Sequence, residues 1–326
     1  MTRTPTAEPG PAPAVADLAT RVLAGDRLAL TRAITRVENR RREAAALLQA
    51  LTPHTGHAYL LGITGPPGGG KSTLTTALVT LLRARGDTVA IIAVDPTSAL
   101  SGGALLGDRI RMLEFYDDPG VFIRSMASRG VLGGLSATTG DVARVLDAFG
   151  FDWVIIETVG VGQGEVAVAG LADTTLLIEV PGLGDDVQAI KAGVLEVADI
   201  LVINKADKEG ATKLATTLRG MLSLAHTPGW SPPIVQTVAA TGQGVPELLA
   251  AIANHRGYLE HSGARTDRTR ARLRAEVLDR AQELLTARLL GLMDGDAGFT
   301  AALAQLVARE RDPASVAADL VARLAP

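Results

Sequence analysis

Gly65, Pro66, Pro67, Gly68, Gly69, Gly70, Lys71, Ser72 and Thr73 run in the order G-x-x-x-x-G-K-[ST]. Glycines at that spacing let successive backbone N–H groups turn inward around a polyphosphate. A helix starting just after them adds its partial positive end. The Lys71 ammonium can then reach the outer phosphates, and the Ser72 hydroxyl is a hard oxygen ligand for Mg²⁺. The chain has 35 glycines, so glycine spacing alone means little; the Lys-Ser pair after an apolar run makes the pattern specific. Pro66 and Pro67 stand where partitioning ATPases and ion-pump ATPases carry an extra lysine, which points away from that branch.

Further along, Ile200-Leu201-Val202-Ile203 ends in Asn204, Lys205, Ala206 and Asp207. A carboxylate at Asp207 would accept the N1–H and the exocyclic amine of guanine. Adenine offers neither, and binding it would leave a buried acceptor unpaired at a cost of about 1–3 kcal/mol. Lys205 would lie over the base, and Asn204 would tie this loop to the phosphate side. A later run, 234–238, leads through Val238 into Ala239 and Ala240, small residues whose backbone N–H groups would meet the guanine oxygen.

Acids close three segments. The run 153–157 ends in Glu157, followed by Thr158, Val159 and Gly160; the run 88–94 ends before Asp95; and Asp108 sits in Gly107-Asp108-Arg109. Carboxylates near phosphates suit a hydrated, oxygen-ligated Mg²⁺, with Ser72, Asp95, Asp108 and Glu157 as the candidate set, and the Gly160 N–H would meet the γ-phosphate. Val161 follows Gly160 and cannot orient an attacking water, whereas Gln163 two residues on could. Slow intrinsic hydrolysis that rises when a partner completes the site is the expectation, with Lys71, Glu157, Gln163 and Asp95 as the catalytic set. Arg109, Arg111, Arg129 and Lys191 are candidate cationic helpers.

Parallel strands with helices between them would hold these segments. Apolar runs at 59–64, 88–94, 121–124, 153–157, 175–180, 200–204 and 234–238 alternate with helical patterns near 71–85, 105–115, 136–149, 186–197, 211–225 and 246–260. Continuous Val/Ile/Leu strands separated by helices predict an α/β fold with a doubly wound, mostly parallel sheet, whose ligands sit at the carboxyl ends of the strands. Four segments follow: a flexible Pro/Ala/Thr-rich tail over 1–15, an N-terminal extension of one or two amphipathic helices over 16–56, a nucleotide domain over 57–262, and a C-terminal helical arm over 263–326. The cluster Arg40, Arg41 and Arg42 reads as a solvated helix face.

Composition narrows the alternatives. The chain of 326 residues has no cysteine, which excludes thiolate zinc sites, Fe–S clusters and cysteine nucleophiles. Its 32 basic residues against 35 acidic ones, with 3% aromatics, argue against nucleic-acid coating. No long uninterrupted apolar run or apolar leader core is present, so a cytoplasmic location is expected.

Together these residues resemble the MeaB/ArgK-type P-loop GTPases, whose human member is the methylmalonic aciduria type A protein. The likeness spans roughly 51–263. It is carried by 65–73, Asp95-Pro96-Thr97-Ser98, Gly107-Asp108-Arg109-Ile110-Arg111, Ser128-Arg129-Gly130 and Glu157-Thr158-Val159-Gly160-Val161-Gly162-Gln163. The block Pro181-Gly182 with Gly184-Asp185-Asp186, Gln188, Lys191, Glu196 and Ala198-Asp199 is the most specific part. Gly164 departs from the family's serine. The resemblance implies a GTPase that binds GTP or GDP with Mg²⁺ and chaperones an adenosylcobalamin-dependent acyl-CoA mutase, typically methylmalonyl-CoA mutase. It also implies a homodimer built with the C-terminal arm. Asp185, Asp186, Gln188 and Lys191 would then belong to a nucleotide-responsive switch that signals to the mutase, with Arg109 and Arg111 beside it. A nickel-enzyme metallochaperone GTPase and a kinase of periplasmic binding proteins are the alternative readings.

Overall fold

In the computed structural model, residues 13–95, 113–127, 134–158, 164–182, 195–224 and 229–324 are described. Up to Arg268 they form one compact unit, and Thr269 begins a second. The first contains seven strands: β1 (Tyr59–Thr64), β2 (Val89–Asp95), β3 (Val121–Ala127), β4 (Trp153–Thr158), β5 (Thr174–Glu179), β6 (Ile200–Asn204) and β7 (Ile234–Thr237). They pair in the order β3-β2-β4-β1-β5-β6-β7, every pairing parallel. The all-parallel α/β architecture is the one that the alternation of apolar runs and helical patterns predicts.

Helices cover both faces because strand side chains alternate. On one face Ile92, Val154 and Ile156 pack with α1 (Pro13–Leu23), α2 (Arg27–Glu38), α3 (Ala44–Leu51), α5 (Gly134–Phe149) and α6 (Gly164–Leu171). On the other, their neighbours Ile91 and Ile155 pack with Leu74 and Leu78 of α4 (Lys71–Ala84) and Leu248 and Ile252 of α8 (Val245–Ser262). The intervening α7 (Ala211–Leu224) seats Leu214 and Leu218 against Leu201 and Ile203.

Several expectations move. The N-terminal extension holds three helices, and Arg40, Arg41 and Arg42 lie exposed on the turn between α2 and α3, with Arg40 at φ 47°, rather than on a helix face. Strand β3 runs three residues beyond 124, because the edge of β2 pairs with it as far as Asp95 opposite Ala127. Of the helix expected over 105–115, residues 113–115 form a single 3₁₀ turn and the rest lies outside the described residues. Helix α6 was not anticipated. It approaches β1 so closely that a Cβ on Gly62 would stand 2.7 Å from a Val168 methyl.

At the amino ends of β5 and β6 lies a buried polar network. Asp199 accepts from the Thr175 backbone N–H at 2.9 Å, and from Arg268 through Nη2 at 2.7 Å and Nη1 at 3.0 Å. The fully buried His255 ring reaches Thr174 Oγ1 at 2.7 Å through Nδ1 and Asp199 Oδ1 at 3.3 Å through Nε2, while Thr174 also bonds the Tyr59 hydroxyl. Burial pushes the His255 imidazole down to about 4, with the Asp199 carboxylate opposing the shift.

The second unit contains most of α9 (Ala264–Met293), then α10 (Ala297–Val307) and α11 (Pro313–Ala322). Asp296 caps α10 by accepting from Phe299 N at 2.6 Å, and Arg323 returns to Asp296 at 2.7 Å. Leu273, Val277, Leu278, Leu284, Leu285 and Leu290 of α9 remain exposed. Among the described residues no helix is long and apolar enough to cross a membrane.

Candidate functional site

The site sits where the sheet's connections diverge. Strand β1 lies between β4 and β5, and the crossover through α4 leaves it for β2 beyond β4. In open parallel sheets this reversal opens a crevice at the carboxyl ends of the strands. The loop 65–70 fills that position, leading from Thr64 straight into α4 at Lys71.

Two of its glycines are obligatory here. At Gly65, φ is 141° and a Cβ would fall 2.3 Å from the backbone carbonyl oxygen of Ile178 on β5. At Gly70, the residue capping α4, φ is 86° and a Cβ would fall 2.4 Å from Asn204 Nδ2. The loop thus presses against β5 and the end of β6 together. Lys71 is buried, and its ammonium donates to the carbonyls of Gly65 at 2.9 Å and Pro66 at 3.0 Å, placing the charge against the first turn of the loop.

Strand β6 delivers the other half. Asn204 Nδ2 donates to the Gly69 carbonyl at 2.8 Å, and Lys205 Nζ donates to the Gly68 carbonyl at 2.7 Å. Asn204 Oδ1 accepts from Thr237 Oγ1 at 3.2 Å and from the Ala239 N–H at 3.1 Å, so one buried amide joins three segments distant in sequence. Lys205 adopts φ 55°, which turns the chain sharply after β6 and leaves Asp207 exposed. The Ala239 N–H is therefore already engaged by Asn204, while Ala240 lies exposed beyond it.

Across β1 stands the acid. Glu157 is buried at the end of β4, in register with Ile63 of β1 and Ala93 of β2, and Asp95 lies two residues beyond Ala93. Ser72 Oγ donates to Glu157 Oε1 at 2.6 Å, and Thr75 Oγ1 reaches Oε2 at 2.9 Å. Behind them Thr158 Oγ1 meets Thr64 Oγ1 at 3.1 Å. A hydroxyl and a carboxylate, both hard oxygen donors, suit Mg²⁺, which keeps several waters and shares its coordination with substrate phosphates. Among the described residues no three His, Asp or Glu converge in a cage that would favour a softer or fully protein-held metal.

Gly65, Pro67, Gly68, Gly69, Gly70, Lys71, Ser72, Thr73, Glu157, Asn204 and Lys205 thus fall on two loops and one strand end that meet. Asp108, Arg109, Arg111, Arg129, Gly160, Gln163, Asp185, Asp186, Gln188 and Lys191 lie outside the described residues. Thr75, three residues after Ser72 on the same helix face, is not among the sequence candidates; its contact with Glu157 depends on a residue 82 positions away.

A family model described as methylmalonyl-CoA mutase-associated GTPase MeaB matches residues 30–294. A Pyrococcus horikoshii protein described as a GTPase is 47% identical, over 94% of this chain and 96% of its own length. The mitochondrial methylmalonic aciduria type A homolog of Mus musculus is 37% identical over 71% of this chain and 60% of its own. A crystal structure titled LAO/AO transport system kinase superimposes with a TM-score of 0.71 at 29% identity, covering 96% of this chain and 98% of that one. The phosphate loop, its interlock with β6 and a family match running through both place this chain in the MeaB family of P-loop GTPases.

Proposed function

We propose that this chain couples GTP binding and hydrolysis to the loading of adenosylcobalamin onto an acyl-CoA mutase, methylmalonyl-CoA mutase or a close relative, and keeps damaged cofactor off that enzyme. The observation that carries the nucleotide half is the contact of Asn204 with the Gly69 carbonyl, which fixes a base-reading loop against a phosphate-reading one. The family's description, with its reference to methylmalonyl-CoA mutase, supports the partner half.

The roles follow from chemistry. Asp207 accepts from the guanine edge, and Lys205 covers the base. Backbone N–H groups of 65–73 and the Lys71 ammonium hold the phosphates. Ser72 and Glu157, with Asp95 and Asp108, hold Mg²⁺, which when bound neutralises charge on the phosphate oxygens. Gly160 meets the γ-phosphate, and Gln163 orients water. Val161 cannot take that part, so intrinsic turnover is slow and rises with the partner. The segment bearing Asp185, Asp186, Gln188 and Lys191, with Arg109 and Arg111, reports the nucleotide state to the mutase. The exposed leucines of α9 support pairing of two copies into a homodimer, and the cytoplasm is the proposed location.

The test is phosphate release and complex formation with a purified adenosylcobalamin mutase under GTP, GDP and ATP. Faster release of free phosphate and a complex that changes between GTP and GDP are expected. ATP bound as tightly as GTP would refute the nucleotide half. Failure of every such mutase to form a nucleotide-sensitive complex would refute the partner half.

A further inference from the structure

We propose that Thr75 is a positioning residue for the metal end of the nucleotide site: its hydroxyl locks the Glu157 carboxylate so that Oε1 stays on the Ser72 hydroxyl. The proposal deepens the GTPase reading above and rests on it.

Ser72 and Thr75 are three residues apart on α4, so their side chains rise from the same face of the helix. They meet the two oxygens of one carboxylate, Ser72 at 2.6 Å on Oε1 and Thr75 at 2.9 Å on Oε2. The terminal torsion of a glutamate is broad and soft. A second donor on the other oxygen fixes the carboxylate plane, the service that outer-shell groups give to metal ligands. A serine hydroxyl has one proton and two lone pairs, so Ser72 can keep donating to Glu157 while a lone pair faces a cation.

Thr75 Oγ1 also lies 3.0 Å from the Lys71 carbonyl, where a helical threonine ordinarily donates; its one proton has two acceptors in reach, and we assign it to the carboxylate. Thr20, Thr31, Thr35, Thr52 and Thr80 make the ordinary helical bond, but all of those bonds are exposed. Thr75 differs from them in being fully buried and in reaching a carboxylate as well.

The experiment titrates a fluorescent GDP analogue onto the full chain across a Mg²⁺ series and in EDTA. Thr75→Val keeps the shape and removes the donor. It should raise the Mg²⁺ concentration needed for tight binding by about 10–100-fold, as outer-shell losses do, and leave affinity in EDTA within about twofold. Thr75→Ser should restore the wild-type Mg²⁺ dependence. In a Glu157→Gln background, Thr75→Val should add nothing further. A Thr75→Val protein with wild-type Mg²⁺ dependence, or one that loses affinity equally in EDTA, overturns the proposal. If the valine variant does not fold, Thr75→Ala compared with Thr75→Ser decides by the same criteria. A wild-type chain indifferent to Mg²⁺ or to guanine nucleotide would instead sink the parent reading, and this one with it, before any variant is made.

Discussion

Gly70 and Asn204 form an interlock that a double-mutant cycle can measure. Gly70→Ala carries two separate costs. Its φ of 86° lies in the left-handed region, worth about 1–2 kcal/mol against a residue with a Cβ. The new methyl would also fall 2.4 Å from Asn204 Nδ2, forcing that amide off the Gly69 carbonyl and forfeiting a further 0.5–1.5 kcal/mol or so. Asn204→Ala removes the amide outright and strands the Ala239 N–H and the Gly69 carbonyl, for a loss of about 2–4 kcal/mol. With Asn204 gone the methyl has room, and only the backbone cost remains. Urea unfolding of the four proteins should therefore show Gly70→Ala costing about 1 kcal/mol less in the Asn204→Ala background than alone. GDP affinity should fall in each single variant, because the base and phosphate loops lose their common register. Equal costs in both backgrounds would show that the Cβ–amide contact does not govern the loop, and an unshifted midpoint for Asn204→Ala would refute the interlock itself.

Two further outcomes can be checked in parallel. Asp207→Asn should weaken GTP binding roughly tenfold to hundredfold by removing an acceptor for two guanine donors, at about 1–3 kcal/mol. It should improve binding of xanthosine nucleotides, whose C2 oxygen can accept from the new amide; competition binding reads both, and unchanged selectivity would clear Asp207 of reading the base. The second concerns His255. Its folded-state value of about 4 lies below the ordinary 6.5, so the unfolded chain takes up the proton first. The neutral ring's contribution is intact above about 6.5 and is lost as pH falls toward 4, by an amount of order 2–3 kcal/mol. His255→Gln should flatten that slope in urea midpoints measured between pH 4 and 7. Parallel wild-type and variant curves would refute the assignment of this slope to His255.

The alternation of parallel strands with helices, and the phosphate loop at the end of β1, were legible because they depend on patterns short enough to see: an apolar run, a glycine loop, a helix. Tyr59–Thr64 and Ile200–Asn204 match their expected bounds because each ends in residues that cannot continue a buried strand, glycine in one case and a polar tetrapeptide in the other. The end of β3 was not legible. Ser125 looks like a terminus in isolation, and the strand continues to Ala127 only because β2 runs alongside it. Helix α6 shows the same limit: its Gly/Ala/Val sequence has little helical patterning, and its place comes from Val168 and Leu171 closing over the face of β1. Yet Gly62, a glycine inside a strand, was the available sign that something approaches closely there.

The functional residues divide along the same physical line. Lys71, Ser72, Asn204 and Lys205 could be singled out as candidates because the motifs that contain them are local in order along the chain, and the fold brings them together. Thr75 matters through Glu157, which lies 82 positions away. A threonine bonding its own helix and one steadying a buried acid have the same sequence signature. Only a fold that brings β4 beside α4 distinguishes them, and it does so through burial. In water a hydroxyl–carboxylate contact competes with solvent and is worth little. At the buried end of β4 the same contact has no such competition, and its loss removes one restraint on the carboxylate plane. The same reasoning gives the Asn204 amide its weight: three bonds to one buried group make the phosphate and base loops move as a unit, so substitution in either loop should be felt by both ends of the nucleotide.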